Sequence, residues 1–220
     1  MKVLFVPTQS NVSISDSIIQ KISRKLPKKI GIISTIQFSY LINQFRSVLR
    51  REGKSVFVDK KGLILGCDVK SGLTLQNKVD VYLYIGSGRF HTLALALELK
   101  NQKPIFIFNP STLDFYEFNW DEVKKIKQKQ KAAHVKFLSE DKIGIIVSTK
   151  SGQNNLSEAF NLKKQFEKKK KKSYIFLTDN FDLNQLENFP EIKSWVNTAC
   201  PGLSRENPSL ILDFRNIKKG

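Results

Sequence analysis

Residues 28–35 read KKIGIIST and residues 141–149 read DKIGIIVST, so one pattern occurs twice in the chain. Both stretches are apolar and β-branched, which is typical of a strand buried on both faces of a parallel sheet. The copies lie ~113 residues apart, and repetition at such a distance indicates two related structural units. Each copy is therefore predicted to form a buried strand of its own unit.

The sequence around these copies alternates between strand and helix patterns. Further strands are predicted at residues 2–7, 54–59, 79–85, 104–109, 173–178, 194–198 and 209–214, with an extended edge or hairpin at 111–120. Helices are predicted at residues 11–28, 92–100, 121–138, 156–168 and 184–189, and one more ends near Gly53. In the helix at 156–168 we expect Phe160 and Phe166 to face inward. The alternation predicts an α/β fold of two Rossmann-like domains with parallel sheets flanked by helices, residues 29–139 and 140–220.

The composition excludes several classes of protein. Of 220 residues, 40% are hydrophobic and 26% are charged, which fits a globular chain rather than a disordered one. No apolar run approaches the ~18–20 residues that a membrane span requires, and the N-terminus lacks the apolar stretch of a signal peptide. These features predict a cytosolic protein with no membrane partner.

The charge of the chain leaves two interpretations open. The net charge is +17, and 30 of the 37 basic residues are lysines. The first interpretation is a lysine-biased composition with solvated faces, since charge bears on partners and solubility rather than on fold. The second is an acidic partner, such as a factor bound to RNA. Direct readers of nucleic acid usually have more arginine, so nucleic acid is expected only indirectly.

One candidate ligand loop follows the predicted strand at 79–85. Its residues 86–91 read GSGRFH, and ligands of such sheets bind beyond the carboxyl ends of the strands. The loop lacks the third glycine of a dinucleotide loop and the lysine of a Walker loop. Arg89 could hold a carboxylate through two parallel bonds, and His91 could be an acid, a base or a substrate contact. The alternative is a capped turn with a structural Arg and His.

A second candidate loop follows the second copy of the repeated strand. Residues 149–153 read TKSGQ, and we assign them to the matching place in the second unit. Thr149, Ser151 and Gly152 offer backbone and hydroxyl donors for a polar ligand. The alternative is a plain turn between a strand and a helix.

The chain has two cysteines, Cys67 and Cys200. They do not form a disulfide framework, and neither lies in a CxxC motif or at zinc spacing. Each alone could be a small buried hydrophobic residue. Cys200 follows a predicted strand and so belongs to the expected ligand edge, and the loop of Cys67, which enters a helix, is compatible with that edge.

Five stretches together resemble one family. They are STIQ at residues 34–37, GLILGCD at 62–68, YIGSGRFH at 84–91, IIVSTKSGQ at 145–153 and WVNTACPGLS at 195–204. In this order and spacing the chain resembles the archaeal diphthamide synthase family, 2-(3-amino-3-carboxypropyl)histidine synthase, over nearly its whole length. The family implies three Rossmann-like domains, each of which gives one cysteine to a [4Fe–4S] cluster.

The resemblance also implies a reaction. S-adenosylmethionine binds the open iron, and reduction cleaves its Cγ–S bond. The 3-amino-3-carboxypropyl group passes to a histidine of translation elongation factor 2, in the first step of diphthamide synthesis. By resemblance Cys67 and Cys200 correspond to the cluster ligands of the middle and last domains. The residues expected in the cofactor or substrate pocket are Arg89, His91, Thr149, Gly152 and Gln153.

The chain departs from the family pattern because the first domain and its cysteine are missing, and residues 1–28 look like a remnant that joins that domain to the next. The leading hypothesis is a subunit completed by a partner chain that supplies the third cysteine, with elongation factor 2 as the acidic partner. The second is a non-catalytic scaffold that pairs with a complete paralogue and docks elongation factor 2. A basic nucleic-acid-binding module is a third hypothesis, against which the sparse arginine argues.

Overall fold

The computed structural model describes residue 4 and residues 6–60 and 62–217. The chain divides into two compact units, Met1–Val123 and Lys124–Gly220. Each unit has a mainly parallel sheet with helices packed on it, so the predicted α/β class is confirmed. The strand predicted at residues 2–7 falls partly on positions outside the described residues. Among the described residues, no helix combines the length and hydropathy needed to cross a membrane.

The first unit has a five-stranded sheet. Its strands are β1 (Lys29–Ser34), β2 (Ser55–Phe57), β3 (Val81–Ile85), β4 (Ile105–Phe108) and β5 (Phe115–Glu117). Its helices are α1 (Asp16–Ser23), α2 (Leu41–Arg51), α3 (Lys70–Leu73) and α4 (Phe90–Glu98). The strand order is β2-β1-β3-β4-β5, and every neighbouring pair is parallel except β4 and β5. The segment predicted as an edge or hairpin therefore pairs as an antiparallel hairpin with β4.

Apolar side chains on both faces of the central strands bury this sheet. Ile30 and Ile32 of β1 lie on the face that α1 and α2 cover. Tyr82 of β3 lies on the opposite face, where its buried hydroxyl donates to the carbonyl oxygen of Gly72 in α3 at 2.7 Å. Each large apolar side chain that such a sheet buries contributes about 1.5–3 kcal/mol. Helices therefore flank the sheet on both faces, as the sequence predicts.

The segment predicted to be a remnant or linker is an integral part of the first unit. Its buried apolar residues join the same core as β1, namely Ile14, Ile19, Ile22 and Leu26. Asp16, in the first turn of α1, accepts hydrogen bonds from Gln44 and Arg51 of α2 at 3.0 and 2.7 Å. These two hydrogen bonds hold the pKa of Asp16 below its ordinary value. Residues 12–26 are thus fixed to α2 by both apolar and polar contacts.

The second unit has a four-stranded sheet. Its strands are β6 (Lys142–Ser148), β7 (Lys172–Thr178), β8 (Ser194–Asn197) and β9 (Ile211–Asp213). Its helices are α6 (Leu156–Lys168), α7 (Pro201–Glu206) and α8 (Phe214–Ile217), and α5 (Trp120–Ser139) joins the two units. The order is β7-β6-β8-β9 with all pairs parallel. A 3-10 helix at Leu183–Asn188 connects β7 to β8.

Two separate apolar clusters cover the faces of the second sheet. Ile143 and Ile145 of β6 contribute to the cluster that contains α5 and α6. Ile146 and Trp195 contribute to the cluster on the other face, which the segment around the 3-10 helix covers. Gly144 of β6 lies against the indole of Trp195, and a Cβ atom there would come within 2.2 Å of the ring. The glycine at this position of β6 therefore leaves room for Trp195, the largest buried side chain of this core.

One inward-facing prediction is confirmed and its companion is wrong. Phe166 of α6 is buried, whereas Phe160 is 51% exposed. The buried residues of α6 are Ala159, Leu162 and Phe166, which follow helical spacing. Phe160 lies one position beyond Ala159 and is therefore turned about 100° away from this stripe.

The units divide within α5 rather than after it. The sequence places the boundary near residue 139, whereas the compact units divide between Val123 and Lys124. Ala133 and Phe137 of α5 are buried in the core of the second unit. Most of this lysine-rich helix therefore belongs to the second unit, because its buried residues pack there.

The lysine run at residues 168–172 forms the turn from α6 to β7. The helix ends at Lys168, and the strand begins at Lys172. Lys171 donates to the carbonyl oxygens of Leu138 and Glu140 at 2.8 and 2.6 Å, which ties the turn to the end of α5. The other lysines of the run are exposed. In the described part of the chain, β7 has a strand neighbour on one side only.

Candidate functional site

The GSGRFH loop lies at the carboxyl end of β3 and leads directly into α4. Gly88 has a φ of +67°, a left-handed conformation that glycine adopts without strain. A Cβ atom on Gly86 would come within 2.5 Å of the Tyr84 hydroxyl oxygen, so the loop passes close over this buried phenol. Burial raises the pKa of Tyr84 and so keeps its hydroxyl group protonated. This hydroxyl donates a long hydrogen bond of 3.4 Å to the carbonyl oxygen of Ser87.

Cys67 lies on a tight turn next to this loop. Leu65 and Asp68 exchange backbone hydrogen bonds of 2.7 and 3.2 Å across the turn. The ring of Phe90, the first residue of α4, covers Gly66, where a Cβ atom would come within 2.1 Å of it. Cys67 itself is exposed and is not in a disulfide. Phe90 therefore brings the cysteine turn and the GSGRFH loop together within the first unit.

Arg89 and His91 lie on either side of Phe90 but in different surroundings. The Arg89 guanidinium pairs with the carboxylate of Glu122 at 2.8 Å, and 69% of its side chain is exposed. Arg89 is predicted to bind the carboxylate of a ligand, and in the structure it binds the carboxylate of Glu122 instead. The half-buried His91 ring packs edge-on against Phe90, with centroids 5.4 Å apart, and lies 6.4 Å from the Tyr84 ring.

A buried hydroxyl fixes the strand ends beneath these loops. Ser34 at the end of β1 donates through Oγ to the carbonyl oxygen of Ile85, the last residue of β3, at 2.7 Å. Its backbone also pairs with Gly62 and Ile64 at 2.8 and 2.9 Å, which anchors the segment that leads to Cys67. Ser34 therefore ties the end of β3, where the GSGRFH loop begins, to the segment that leads to Cys67.

Ser34→Ala is expected to lower the free energy of unfolding of the first unit by about 1–2 kcal/mol. The substitution leaves the buried carbonyl of Ile85 without its hydroxyl donor. Urea denaturation followed by fluorescence measures the change. Ser47→Ala is the matched control, because Ser47 is exposed on α2. Equal midpoints for the two variants would contradict the role of this hydrogen bond.

The topology corrects one placement in the second unit. The two sheets share the order in which β1 matches β6, β2 matches β7 and β3 matches β8. The TKSGQ loop follows β6 and so matches the loop after β1, not the GSGRFH loop. The counterpart of GSGRFH is the loop after β8, which carries Cys200. The repeated pattern aligns β1 with β6, whereas GSGRFH follows β3, the strand that pairs with β1 on the other side from β2.

Cys200 occupies the N-cap position of α7. Its half-buried Sγ accepts a hydrogen bond from the backbone N–H of Gly202 at 3.4 Å. Pro201 at the first helical position suits this start, because its ring presets the helical φ and it lacks an N–H. The backbone of β8 thus ends in a turn that presents a free thiol at the carboxyl edge of the second sheet.

A cavity of about 200 Å³ connects Cys200 with the TKSGQ loop. Gln153 and Lys150 line it from that loop, so two positions of TKSGQ meet the cysteine. Thr149 and Gly152 lie in the same loop but are not among the lining residues. Thr149 donates to a carboxylate oxygen of Asp179 at 3.2 Å, and Gly152 takes a left-handed φ of +77°. The other lining residues are Ser148, Thr178, Asp179, Asn180, Phe181, Ala199 and Leu203.

Several residues of this edge were not found by sequence reasoning. Lys150 and Asp179 bring opposite charges into the cavity. Asn197 at the end of β8 and Asn155 ahead of α6 both donate side-chain hydrogen bonds to the Cys200 turn. An asparagine at a strand end, followed by a tight turn, carries a usable signal, because its side chain readily hydrogen-bonds the backbone two residues on.

The donor set suits an iron–sulfur cluster in chemistry but not in number. Thiolates are the ligands of such clusters, which take about four protein or substrate ligands, and both cysteines here are free thiols in carboxyl-edge loops. Within the described residues, no group of three or more His, Cys, Asp or Glu side chains could hold a metal ion. Each unit thus offers one thiol, and these two cysteines alone do not make up the ligand set of such a cluster.

Comparisons with known proteins agree with these observations. A 2-(3-amino-3-carboxypropyl)histidine synthase of Pyrococcus horikoshii is 28% identical over 207 residues, or 90% of this chain and 58% of that protein. Its namesake of Methanocaldococcus jannaschii is 32% identical over 178 residues, or 79% of this chain and 45% of that protein. Subunit 1 of the Saccharomyces cerevisiae synthase is 27% identical over 215 residues, or 93% of this chain and 49% of that protein.

Solved structures show the same likeness. A crystal structure of Dph2 from Pyrococcus horikoshii matches with a TM-score of 0.78 and 26% identity, over 96% of this chain and 62% of that one. A second crystal structure of that protein, with a 4Fe–4S cluster, matches with the same TM-score over 97% of this chain and 64% of that one. The chain thus spans 45% to 64% of the length of these relatives.

The family model of diphthamide synthesis proteins matches residues 1–209, and so covers the first unit, most of the second unit and both cysteine loops. The resemblance drawn from the five sequence stretches is confirmed. The chain belongs to the diphthamide synthesis protein family.

Proposed function

We propose that the chain is a subunit of a [4Fe–4S] enzyme that transfers the 3-amino-3-carboxypropyl group of S-adenosylmethionine to a histidine of translation elongation factor 2. One observation carries the proposal. Both cysteines lie in free-thiol loops at carboxyl ends of parallel sheets, in a chain whose fold matches a protein solved with a 4Fe–4S cluster. This transfer would be the first step of diphthamide biosynthesis.

Cys67 and Cys200 are the proposed cluster ligands from this chain, each as a thiolate. The exposure of Cys67 and the half-burial of Cys200 leave both sulfurs reachable. The backbone N–H of Gly202 donates to Cys200 Sγ and so helps to fix where this sulfur lies. When bound, the cluster supplies the electron that cleaves the Cγ–S bond of S-adenosylmethionine. Because the chain has only these two cysteines, a third would come from a partner chain.

The remaining site residues are proposed to bind and orient the substrate. Gln153 and Lys150 share the cavity with Cys200 and can donate to a carboxylate, such as that of the methionine moiety. Thr149 and Gly152 shape the same loop. In the first unit, Arg89 would bind an anionic group in exchange for Glu122. His91, whose ring packs edge-on against Phe90, would be a further substrate contact.

The proposed protein partner is elongation factor 2. The net charge of +17 favours association with an acidic surface, because opposite charges raise the rate of encounter. Relatives named as subunit 1 of the synthase support a second chain in the assembly. Nucleic acid would be met only as RNA bound to the elongation factor.

Anaerobic iron and sulfide analysis tests the proposal. The chain is purified alone and after co-expression with a chain that carries the third cysteine, and visible absorbance is recorded for both. We expect about four irons per complex, and far fewer for the chain alone. Transfer from S-adenosylmethionine to elongation factor 2 is then followed with a carboxypropyl-labelled substrate.

A non-catalytic scaffold is the second candidate function, favoured by the lack of any larger group of metal ligands in the described residues. As a scaffold, the chain would bind elongation factor 2 and a complete paralogue while holding no iron. Absence of iron from both samples, with the cysteines kept reduced, would reject the enzymatic proposal in favour of this one.

A further inference from the structure

The turn that carries Cys200 is held by side chains more than by regular backbone pairing. β8 ends at Asn197, and α7 begins at Pro201, so three residues form the turn between them. The carbonyl oxygen of Thr198 accepts from Asn155 Nδ2 at 2.6 Å. The carbonyl oxygen of Cys200 accepts from Asn197 Nδ2 at 2.7 Å. Two asparagine amides therefore take up backbone groups that a longer strand or helix would otherwise satisfy.

Asn197 is the central element of this arrangement. Its side chain is 0% exposed, and both of its polar atoms are hydrogen-bonded. Oδ1 accepts the backbone N–H of Ala199 at 2.8 Å. Nδ2 donates to the Cys200 carbonyl and also to Ser204 Oγ at 3.2 Å. The amide thus spans the turn from its second residue to the second turn of α7.

A buried amide with this set of partners fixes the direction of a neighbouring side chain. Burying an amide without partners costs several kcal/mol in an apolar medium, so its hydrogen bonds are maintained. They hold the Cys200 backbone in the extended conformation (φ −67°, ψ 129°) in which Sγ faces the Gly202 N–H. The length of the hydrogen bond from Gly202 to Sγ depends on the turn, because the turn sets the position of the sulfur.

We infer that Asn197 is a positioning residue that fixes the Cys200 thiol for cluster ligation. The inference rests on the proposed function, since it assigns Cys200 as a ligand. Asn197 is not among the residues that line the cavity, so its effect on the site would be transmitted through the Cys200 turn. Hydrogen bonds to cluster sulfurs set the reduction potential, so the Gly202 N–H that Asn197 orients would tune that potential.

Hydrogen exchange in the full chain without metal is the first test. Asn197→Ala is expected to accelerate exchange of the Ala199 and Gly202 amides about tenfold or more, because the turn opens locally. Asn197→Asp keeps the acceptor for Ala199 but loses both donors. In that variant Gly202 is expected to exchange faster, while Ala199 stays close to the unsubstituted chain.

Thr198→Val is the matched control. Thr198 is equally buried at the same strand end, but its Oγ1 donates to Ile146 of β6 at 2.9 Å and not to the cysteine turn. Its loss loosens strand pairing without releasing Asn197. We expect Thr198→Val to leave exchange at Gly202 unchanged. Equal acceleration in Thr198→Val and Asn197→Ala would mean general loosening and would overturn the inference.

The reduction potential of the assembled complex is the second test. Asn197→Ala is expected to move the potential to a more negative value, because a weaker N–H hydrogen bond stabilises the reduced, more negative form less, whereas Thr198→Val leaves it in place. An unchanged potential in Asn197→Ala overturns the positioning role, even if exchange is faster. A chain that binds no iron with intact Asn197 refutes the proposed function and the ligation role together. The exchange experiment then still decides whether Asn197 holds the turn.

Discussion

Cys200→Ser is expected to reduce the iron content of the assembled complex from about four atoms to less than one. Serine nearly matches the size of cysteine and is itself a preferred N-cap residue, so its hydroxyl can accept the Gly202 N–H that Sγ accepts now. The fold of the turn is therefore retained while the soft thiolate ligand is lost. This separates ligation from structure more cleanly than an alanine substitution.

Cys67→Ser is expected to have the same effect from the other unit. Because Cys67 is exposed, its substitution leaves the core untouched, and the melting temperature is expected to stay within about 4 °C. Iron, sulfide and the visible absorbance are measured on complexes purified without oxygen.

His134→Ala serves as the control for both cysteine variants. His134 is an imidazole rather than a thiol, and it lies in α5, far along the chain from both cysteine loops. Its iron content is expected to equal that of the unsubstituted complex. Full iron content in both cysteine variants would refute their role as ligands.

Gly144→Ala is expected to destabilise the second unit by about 3 kcal/mol, at the upper end of the cost of overpacking. The added Cβ would lie 2.2 Å from the ring of Trp195, which is only 1% exposed. That ring contacts Phe176 and Phe189, with centroids 4.9 and 6.2 Å away, so it cannot move aside freely. For a unit of this size the loss corresponds to roughly 12–24 °C in melting temperature.

A double-mutant cycle checks the physical reason for this loss. Trp195→Ala alone costs about 3–5 kcal/mol, because it removes a large buried side chain. In that background the methyl group added at position 144 has space, and Gly144→Ala is expected to cost less than about 1 kcal/mol. The free energies come from denaturant titrations of the four chains. Additive effects would show that the contact with Trp195 does not explain the need for glycine.

The sheets could be predicted well because their strands are strongly patterned. β1 and β6 are rich in β-branched residues and are buried along almost their whole length. Such a continuous apolar run indicates a buried strand without reference to its neighbours. α6 was predicted with its observed bounds, since its apolar spacing is clear. The inward placement of Phe160 failed, because hydrophobicity alone does not show on which side of a stripe a residue lies.

The domain limits depended on contacts that sequence patterns do not carry. Residues 1–28 are predicted to be a remnant or linker, yet the apolar residues of the helix predicted within them pack into the core of the first unit. The division inside α5 follows from Ala133 and Phe137, which are buried in the core of the second unit. Local pattern shows that a helix has an apolar face but not which sheet that face covers.

The candidate site was predictable in its loops and not in its pairings. That Cys200 and the GSGRFH loop lie at carboxyl ends of strands follows from the α/β rule. The ion pair between Arg89 and Glu122 joins residues 33 positions apart. The amide of Asn197 could be suspected from its turn, but its contact with Ser204 depends on where α7 packs.

The lysine run before β7 has a consequence for the free chain in solution. An unpaired strand border exposes N–H and C=O groups that can pair with the same border of another copy, and Tyr174 and Leu177 make this one partly apolar. The exposed positive charges at its start make two copies repel each other as their borders approach. Salt at physiological strength screens such charges beyond about 8 Å, so rising ionic strength removes this protection against self-association. The exposed lysines at the start of β7 therefore oppose edge-to-edge pairing of two copies of this chain.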